Sequence, residues 1–170
     1  MDFKSYVRNI PNYPKPGVDF KDITPLLKDP EALKAASEAL LAFVGDHHID
    51  KVVGMESRGF FFGPILAIAL GAGFVPVRKV GKLPAKTISN TYDLEYGTDT
   101  LEIHADAIDK GDRVLVHDDV LATGGTARAT CELIEALGGV VVQCNFLLEL
   151  KMLHGNQKLK AYVVHSLMEY

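Results

Sequence analysis

Thirteen residues from Val114 to Thr126, VLVHDDVLATGGT, place two adjacent carboxylates, Asp118 and Asp119, shortly before a turn of small residues, Ala122-Thr123-Gly124-Gly125-Thr126. The apolar run Val114 to His117 has the character of a short buried strand. The segment TARATCELIEALGG that follows carries apolar residues at helical spacing before a glycine stop. The spacing therefore predicts an acidic pair and a glycine turn at the carboxyl end of a strand, where open α/β sheets bind ligands and where the first amides of the next helix favour an anion. Thr123, Gly124, Gly125 and Thr126 suit one phosphate monoester, with backbone approaching through the glycines and two hydroxyls donating. Asp118 and Asp119 would repel that phosphate from inside its pocket. One step away they can accept hydrogen bonds from a cis-diol such as the 2′ and 3′ hydroxyls of a ribose.

A nucleoside triphosphate loop would need GxxxxGK followed by serine or threonine, and no lysine follows Gly124 and Gly125. The dinucleotide pattern GxGxxG is absent too. For the acidic pair alone, a helix cap or a bare Mg²⁺ site would be the simpler readings.

A second candidate anion site follows the apolar run VVGM, where Glu56-Ser57-Arg58-Gly59 again opens a helix at a strand's carboxyl end. The planar fork of Arg58 suits phosphate oxygens. The stretch from Arg78 to Gly97, RKVGKLPAKTISNTYDLEYG, reads as long and irregular and is expected to behave as a mobile lid. Arg78, Lys79, Lys82 and Lys86 at its start have no acid among them and would supply charge for a diphosphate. Glu95 beside Tyr96 near its end offers an acid or base next to an aromatic cover, and closure would exclude water from a reactive centre.

The elements that must position these residues alternate along the chain. Asp29-Pro30-Glu31 is an N-cap, a proline at the first helical position and a first-turn acid, opening a helix expected to run to Val44. A strand at Lys51 to Met55, a buried helix at about Phe60 to Leu70, and a strand at Phe74 to Arg78 come next. After the lid and the motif strand with its helix, strands are expected at Val140 to Leu150 and Ala161 to Leu167. Such alternation implies an α/β fold with a mostly parallel sheet flanked by helices. Residues 1–30, with Pro11, Pro14, Pro16 and Gly17, precede the pattern and read as a small amino-terminal hood on a single 170-residue domain.

Composition narrows the function class. The chain is 48% hydrophobic and 24% charged with a net charge of −4, which is ordinary globular composition and offers no basic field for nucleic acid. Gly59 to Val77 holds nineteen consecutive uncharged residues, but glycines and prolines interrupt it, so no membrane span is expected. The start MDFKSYVRNI lacks the apolar region of a secretory signal, so a cytoplasmic location is expected. Cys131 and Cys144, on an inferred helix and an inferred strand, read as buried thiols.

The Val114 to Thr126 motif closely resembles the phosphoribosyl diphosphate (PRPP) motif of the type I phosphoribosyltransferases. The likeness extends to YPKPGVDFKDITPLLKDP at Tyr13 to Pro30, GMESRGFFFGP at Gly54 to Pro64, RKVGKLP at Arg78 to Pro84 and LEYG at Leu94 to Gly97. The FKDIT and LEYG segments resemble the adenine-specific branch. The resemblance implies purine salvage by adenine plus PRPP giving AMP plus pyrophosphate, with Mg²⁺ carried on the diphosphate rather than on protein ligands. It implies Asp118 and Asp119 at the ribose, Ala122 to Thr126 at the 5′-phosphate, and Glu56, Ser57, Arg58, Arg78, Lys79 and Lys82 at pyrophosphate. Asp19, Phe20, Lys21 and Tyr96 would meet adenine, Glu95 would handle the purine proton, and Arg58 would assist the leaving group. It also implies a homodimer and a cis peptide between Glu56 and Ser57.

Three positions depart from the family pattern. Many relatives carry an aliphatic residue in place of Asp19 and an arginine in place of Lys21. His117 replaces a usual aliphatic residue and is expected to be packed and hydrogen-bonded rather than catalytic. Two other functions stay open at this point. A PRPP-sensing regulator that binds DNA would add a winged-helix module, for which the length leaves no room. A transferase for a 6-oxopurine or a pyrimidine would differ in the segment over the base.

Overall fold

The computed structural model describes residues 1–93 and 97–170, which fall into two compact units, Met1–Ala39 and Leu40–Tyr170. In the first, β1 (Arg8–Ile10) and β2 (Phe20–Asp22) pair antiparallel. The connection between them turns through Asn12 and Gly17, at φ 58° and 86°, with the Gly17 amide donating to Asn12 Oδ1 at 2.9 Å. The peptide Tyr13–Pro14 is cis. Helix α1 (Thr24–Lys28) begins after Asp22, whose carboxylate accepts from the Thr24 amide and hydroxyl at 2.9 Å each. The segment read from its prolines only as a hood thus has a hairpin and a helical turn of its own.

Helix α2 (Pro30–Ala42) starts where the sequence predicts, with Asp29 Oδ1 accepting from the Glu31 and Ala32 amides at 3.0 and 2.9 Å. The division between the two units falls within this helix.

The second unit is built on a seven-stranded sheet in the order β5-β6-β4-β3-β7-β8-β9. Strands β3 (Lys51–Met55), β4 (Gly73–Lys79), β7 (Arg113–Leu121), β8 (Val140–Glu149) and β9 (Val164–Glu169) run parallel. Helix α3 (Gly59–Leu70) connects β3 to β4, and α4 (Gly125–Ala136) connects β7 to β8. The mostly parallel α/β sheet read from the alternation is the observed architecture.

Side-chain pattern explains the arrangement. Strands β3, β7 and β8 carry the apolar runs Val52-Val53, Val114–Val116 and Phe146–Leu148 and are mostly buried, as parallel strands with both faces covered are. One core joins Val53, Met55, Val77, Val116, Ile134 and Phe146, and each such side chain stabilises the fold by about 1.5–3 kcal/mol when fully buried. Glycine sets the fit of α3. The Phe74 ring lies so close to Gly54 and Gly63 that a Cβ would stand 2.7 and 2.4 Å from it. Helix α3 ends at Gly71, at φ 65°. Among the described residues no helix is long and apolar enough to cross a membrane.

Two expectations are corrected. The stretch after Arg78 is largely regular, because β5 (Thr87–Asp93) and β6 (Thr98–His104) form an antiparallel hairpin that joins the sheet beside β4. Its alternating exposure, set by Ile88, Asn90 and Tyr92, is an ordinary strand signal that the neighbouring glycine, proline and lysines obscured. The motif strand also runs farther than expected. It continues through the acidic pair to Leu121, since Val120 and Leu121 keep pairing with Leu148 and Glu149.

Candidate active site at the carboxyl edge of the parallel strands

Strand β7 delivers Asp118 and Asp119 to the edge of the sheet, and the chain then turns through Ala122 to Gly124 into α4. Gly124 is the N-cap of that helix, at φ 78°, and among the described residues no side chain bonds to the helix's first amides. The reading of the two aspartates as a helix cap is thereby excluded. A cavity of about 70 Å³ opens here, lined by Asp118, Ala122, Thr123, Gly124 and Thr126 with Phe146 among its walls. Thr123 and Thr126 line this volume and the start of α4 borders it, so two hydroxyls and the positive end of a helix dipole favour an anion there, against the carboxyl of Asp118, which lines the same cavity and was expected one step away.

The loop is packed against a residue that sequence reasoning missed. Gly155, in the single-turn helical segment Gly155–Leu159, backs onto it so tightly that a Cβ on Gly124 would lie 2.3 Å from the Gly155 carbonyl oxygen. No local pattern marks Gly155, because the demand for a missing side chain comes from a loop thirty residues earlier. Tyr92 closes the other side. Its hydroxyl is 2.9 Å from Thr126 Oγ1, and its ring stands 3.1 Å from the position of a Cβ on Gly125.

The acidic pair is electrostatically unusual. Burial, with the charge of Asp119 next, pushes the Asp118 carboxyl well above the usual carboxylate range, although its Oδ1 accepts from the Asp119 amide at 2.9 Å. Burial also raises Asp119, against the pull of the Arg58 guanidinium. Asp119 Oδ2 lies 3.0 Å from Arg58 Nε, yet it has no aligned hydrogen-bond donor. The ion pair with Arg58 leaves lone pairs on this buried carboxylate that can accept from a further donor.

Arg58 belongs to the loop that follows β3, the neighbour of β7 in the sheet. The peptide Glu56–Ser57 in that loop is cis, as the resemblance implied. Gly59 brings the loop hard against the acidic pair, since a Cβ there would lie 2.9 Å from the His117 carbonyl oxygen and 3.1 Å from Asp118 Oδ1. The two loops read separately from the sequence are thus parts of one edge.

Three cations of the third segment, Arg78, Lys79 and Lys82, are partnered by acids from outside it. Glu56 collects them. Its carboxylate accepts from the Lys79 amide at 3.0 Å, from Arg78 at 3.4 Å and from the Lys82 ammonium. Burial would raise the Glu56 carboxyl, but these donors bring it down to about 2. Lys79 Nζ pairs with Asp99 at 3.1 Å, which raises its pKa. Glu56 therefore contributes to this edge by gathering Arg78 and Lys82, while Ser57 is exposed beside them.

His117 is packed and hydrogen-bonded, as expected. It is fully buried, with Nδ1 2.8 Å from Asn145 Oδ1, and burial lowers its pKa to about 4 despite that bond. Asn145 in turn donates to the Leu40 carbonyl at 3.3 Å. Cys131 on α4 and Cys144 on β8 are buried free thiols 3.6 Å apart.

The residues expected at the base are placed in the amino-terminal unit. Asp19 precedes β2, Phe20 meets Tyr13 edge to face at 5.4 Å, and Lys21 Nζ donates to Asn9 Oδ1 at 2.7 Å. Glu95 and Tyr96 lie outside the described residues.

Residues 24–166 match the family model of the phosphoribosyl transferase domain. The chain is 62% identical over 170 residues to an adenine phosphoribosyltransferase of Christiangramia forsetii, covering 100% of this chain and 99% of that one. The crystal structure of adenine phosphoribosyltransferase from Thermoanaerobacter pseudethanolicus superposes with a TM-score of 0.97 at 51% identity, covering 99% of this chain and 98% of that chain. The Saccharomyces cerevisiae enzyme, complexed with adenine and an imino-altritol bisphosphate, gives a TM-score of 0.92 at 43% identity over 98% of this chain and 96% of that chain.

Proposed function

This chain belongs to the adenine phosphoribosyltransferase family, and from that premise we propose that it transfers the 5-phosphoribosyl group of PRPP to adenine, giving AMP and pyrophosphate in purine salvage. The observation that carries the residue assignments is the joining of two anion sites at one sheet edge, through Arg58 and Asp119. Asp118 and Asp119 accept from the ribose hydroxyls, and the loop Ala122 to Thr126 takes the 5′-phosphate at the uncapped start of α4. Arg58, Arg78, Lys79 and Lys82 face the diphosphate, with Ser57 beside them and Glu56 holding the cations in place.

In the reaction the bond from the anomeric carbon to the diphosphate oxygen breaks and a bond to the purine nitrogen forms. Positive charge on these side chains stabilises the departing pyrophosphate as the sugar becomes oxocarbenium-like. Glu95, placed by resemblance, accepts the proton that the purine nitrogen loses. Mg²⁺ bound to the diphosphate of PRPP would supply further charge neutralisation there. The local carboxylates fit that arrangement, since Glu56 is committed to Arg78 and Lys82 and Asp119 to Arg58.

We also propose a cytoplasmic homodimer. Phe61 and Ile68 stand exposed on α3, the apolar helix beside the Arg58 loop, and suit burial against a second copy. Sedimentation at micromolar concentration should show a species about twice 18.5 kDa, and a purely monomeric profile rejects the dimer. The activity itself is tested by pyrophosphate release from PRPP against a panel of free bases, with adenine expected to be the active one.

A further inference from the structure

We propose that Tyr92 is a positioning residue for the 5′-phosphate, holding the hydroxyl of Thr126 in the orientation that donates to a sugar monophosphate. The inference rests on the reading of Ala122 to Thr126 as the phosphate loop.

Tyr92 lies on β5, outside every segment that contacts substrate by resemblance, yet its hydroxyl meets Thr126 Oγ1 at 2.9 Å. Each of the two hydroxyls carries one proton. When Thr126 donates to a phosphate oxygen, its lone pair accepts from Tyr92, so the phenol proton fixes the direction of the threonine proton. Burial raises the Tyr92 phenol, the bond to Thr126 opposes that, and Asp99 adds to the rise, so the phenol keeps the proton it needs to donate.

The surroundings hold the phenol in place from two directions. The strand carrying it is pinned to the phosphate helix by Asn90, whose Nδ2 donates to Glu132 Oε2 at 2.8 Å and to the Ala129 carbonyl at 3.3 Å. Across the hairpin, Tyr92 is in register with Asp99, which pairs with Lys79 at 3.1 Å. The arm that supplies a diphosphate cation therefore also braces the distant phosphate loop, so both ends of one substrate share a support.

Tyr92→Phe removes the hydroxyl and keeps the ring against Gly125. The KM for PRPP should rise about three- to ten-fold, the scale of one neutral hydrogen bond, while the KM for adenine and the melting temperature stay as in the parent. Inhibition by ribose 5-phosphate should weaken by the same factor and inhibition by pyrophosphate should not. Thr126→Ala should raise the PRPP KM at least as much, and adding Tyr92→Phe to it should change nothing further. An unchanged PRPP KM in Tyr92→Phe, or adenine and PRPP constants rising together with a lowered melting temperature, overturns the inference. If Thr126→Ala itself leaves PRPP binding untouched, the phosphate-loop reading fails instead.

Discussion

Gly155 and Ala122 touch backbone to backbone: a Cβ on Gly155 would stand 2.2 Å from the Ala122 carbonyl oxygen, closer than any real Cβ contact. Gly155 does not have a positive φ, so its lack of a side chain answers to this approach and not to backbone conformation. The relationship makes the shape of the phosphate loop depend on a residue that touches no substrate.

Gly155→Ala should therefore push the Ala122 to Thr126 loop out of its cavity. Inserting a methyl into such a contact costs about 1–3 kcal/mol, relieved mainly by movement of the loop. We expect the PRPP KM to rise at least tenfold with a smaller effect on the adenine KM, measured by steady-state kinetics alongside thermal unfolding. Parental PRPP kinetics would show that the loop has slack the structure does not reveal.

Asp118→Asn and Asp119→Asn keep shape and remove charge. Hydrogen bonds to a charged acceptor are worth about 1.5–3 kcal/mol, so kcat/KM for PRPP should fall roughly tenfold or more in each. Acid should mimic the mutations. Because burial and the Asp119 charge raise the Asp118 carboxyl, it protonates at a higher pH than ordinary carboxylates do, turning an acceptor into a donor. The PRPP KM should climb as pH falls in that window, and the climb should be blunted in Asp118→Asn. A parallel pH profile for both proteins would place the titrating group elsewhere.

What the sequence makes legible is what lies within one stretch of chain. Val114 to Thr126 carries its strand, its acids and its glycine turn together, and Asp29-Pro30-Glu31 carries its own helix start, so both elements are legible, although the strand runs on through the acids to Leu121. Glu56 does not read as a cation holder, because Arg78 and Lys82 arrive from 22 and 26 residues away on a neighbouring strand and its turn. The lysines of the third segment look unopposed for the same reason. Tyr92 and Gly155 are invisible in sequence because what they do is defined by packing against a loop on another element. The β5–β6 hairpin is a different failure. Its alternation is present, but Gly81, Pro84 and the basic residues before it read as loop.

Glu56 gives a stability test. Its folded carboxyl titrates at about 2 against an ordinary value of 4.5, so its ion pairs stabilise the fold fully above pH 4.5 and that contribution is lost as pH falls toward 2. Lys82 is half exposed, which screens the interaction to the order of 1 kcal/mol or somewhat more. Glu56→Gln should be less stable than the parent by that amount at pH 7 in denaturant unfolding, with the gap closing between pH 4.5 and 2. A gap that is constant with pH would mean that shape and not charge makes Glu56 matter.

Base choice is the last expectation. Adenine presents a 6-amino donor, whereas hypoxanthine and guanine present a 6-oxo acceptor, so a pocket that meets one with the right polarity confronts the other with oxygen against oxygen. Buried acceptors left unpaired in this way discriminate by roughly 10⁴ in kcat/KM, far beyond what stacking on either purine ring can offset. The departures at Asp19 and Lys21 bear on this selectivity only if side chains set it. Lys21 donates its ammonium to Asn9 within its own hairpin, so the expected selectivity is assigned to backbone polarity near Lys21. Adenine should be the working substrate, with 6-oxopurines nearly inert, and Lys21→Arg should leave that ratio in place. Comparable kcat/KM values for adenine and hypoxanthine would instead make this a purine phosphoribosyltransferase of broader choice.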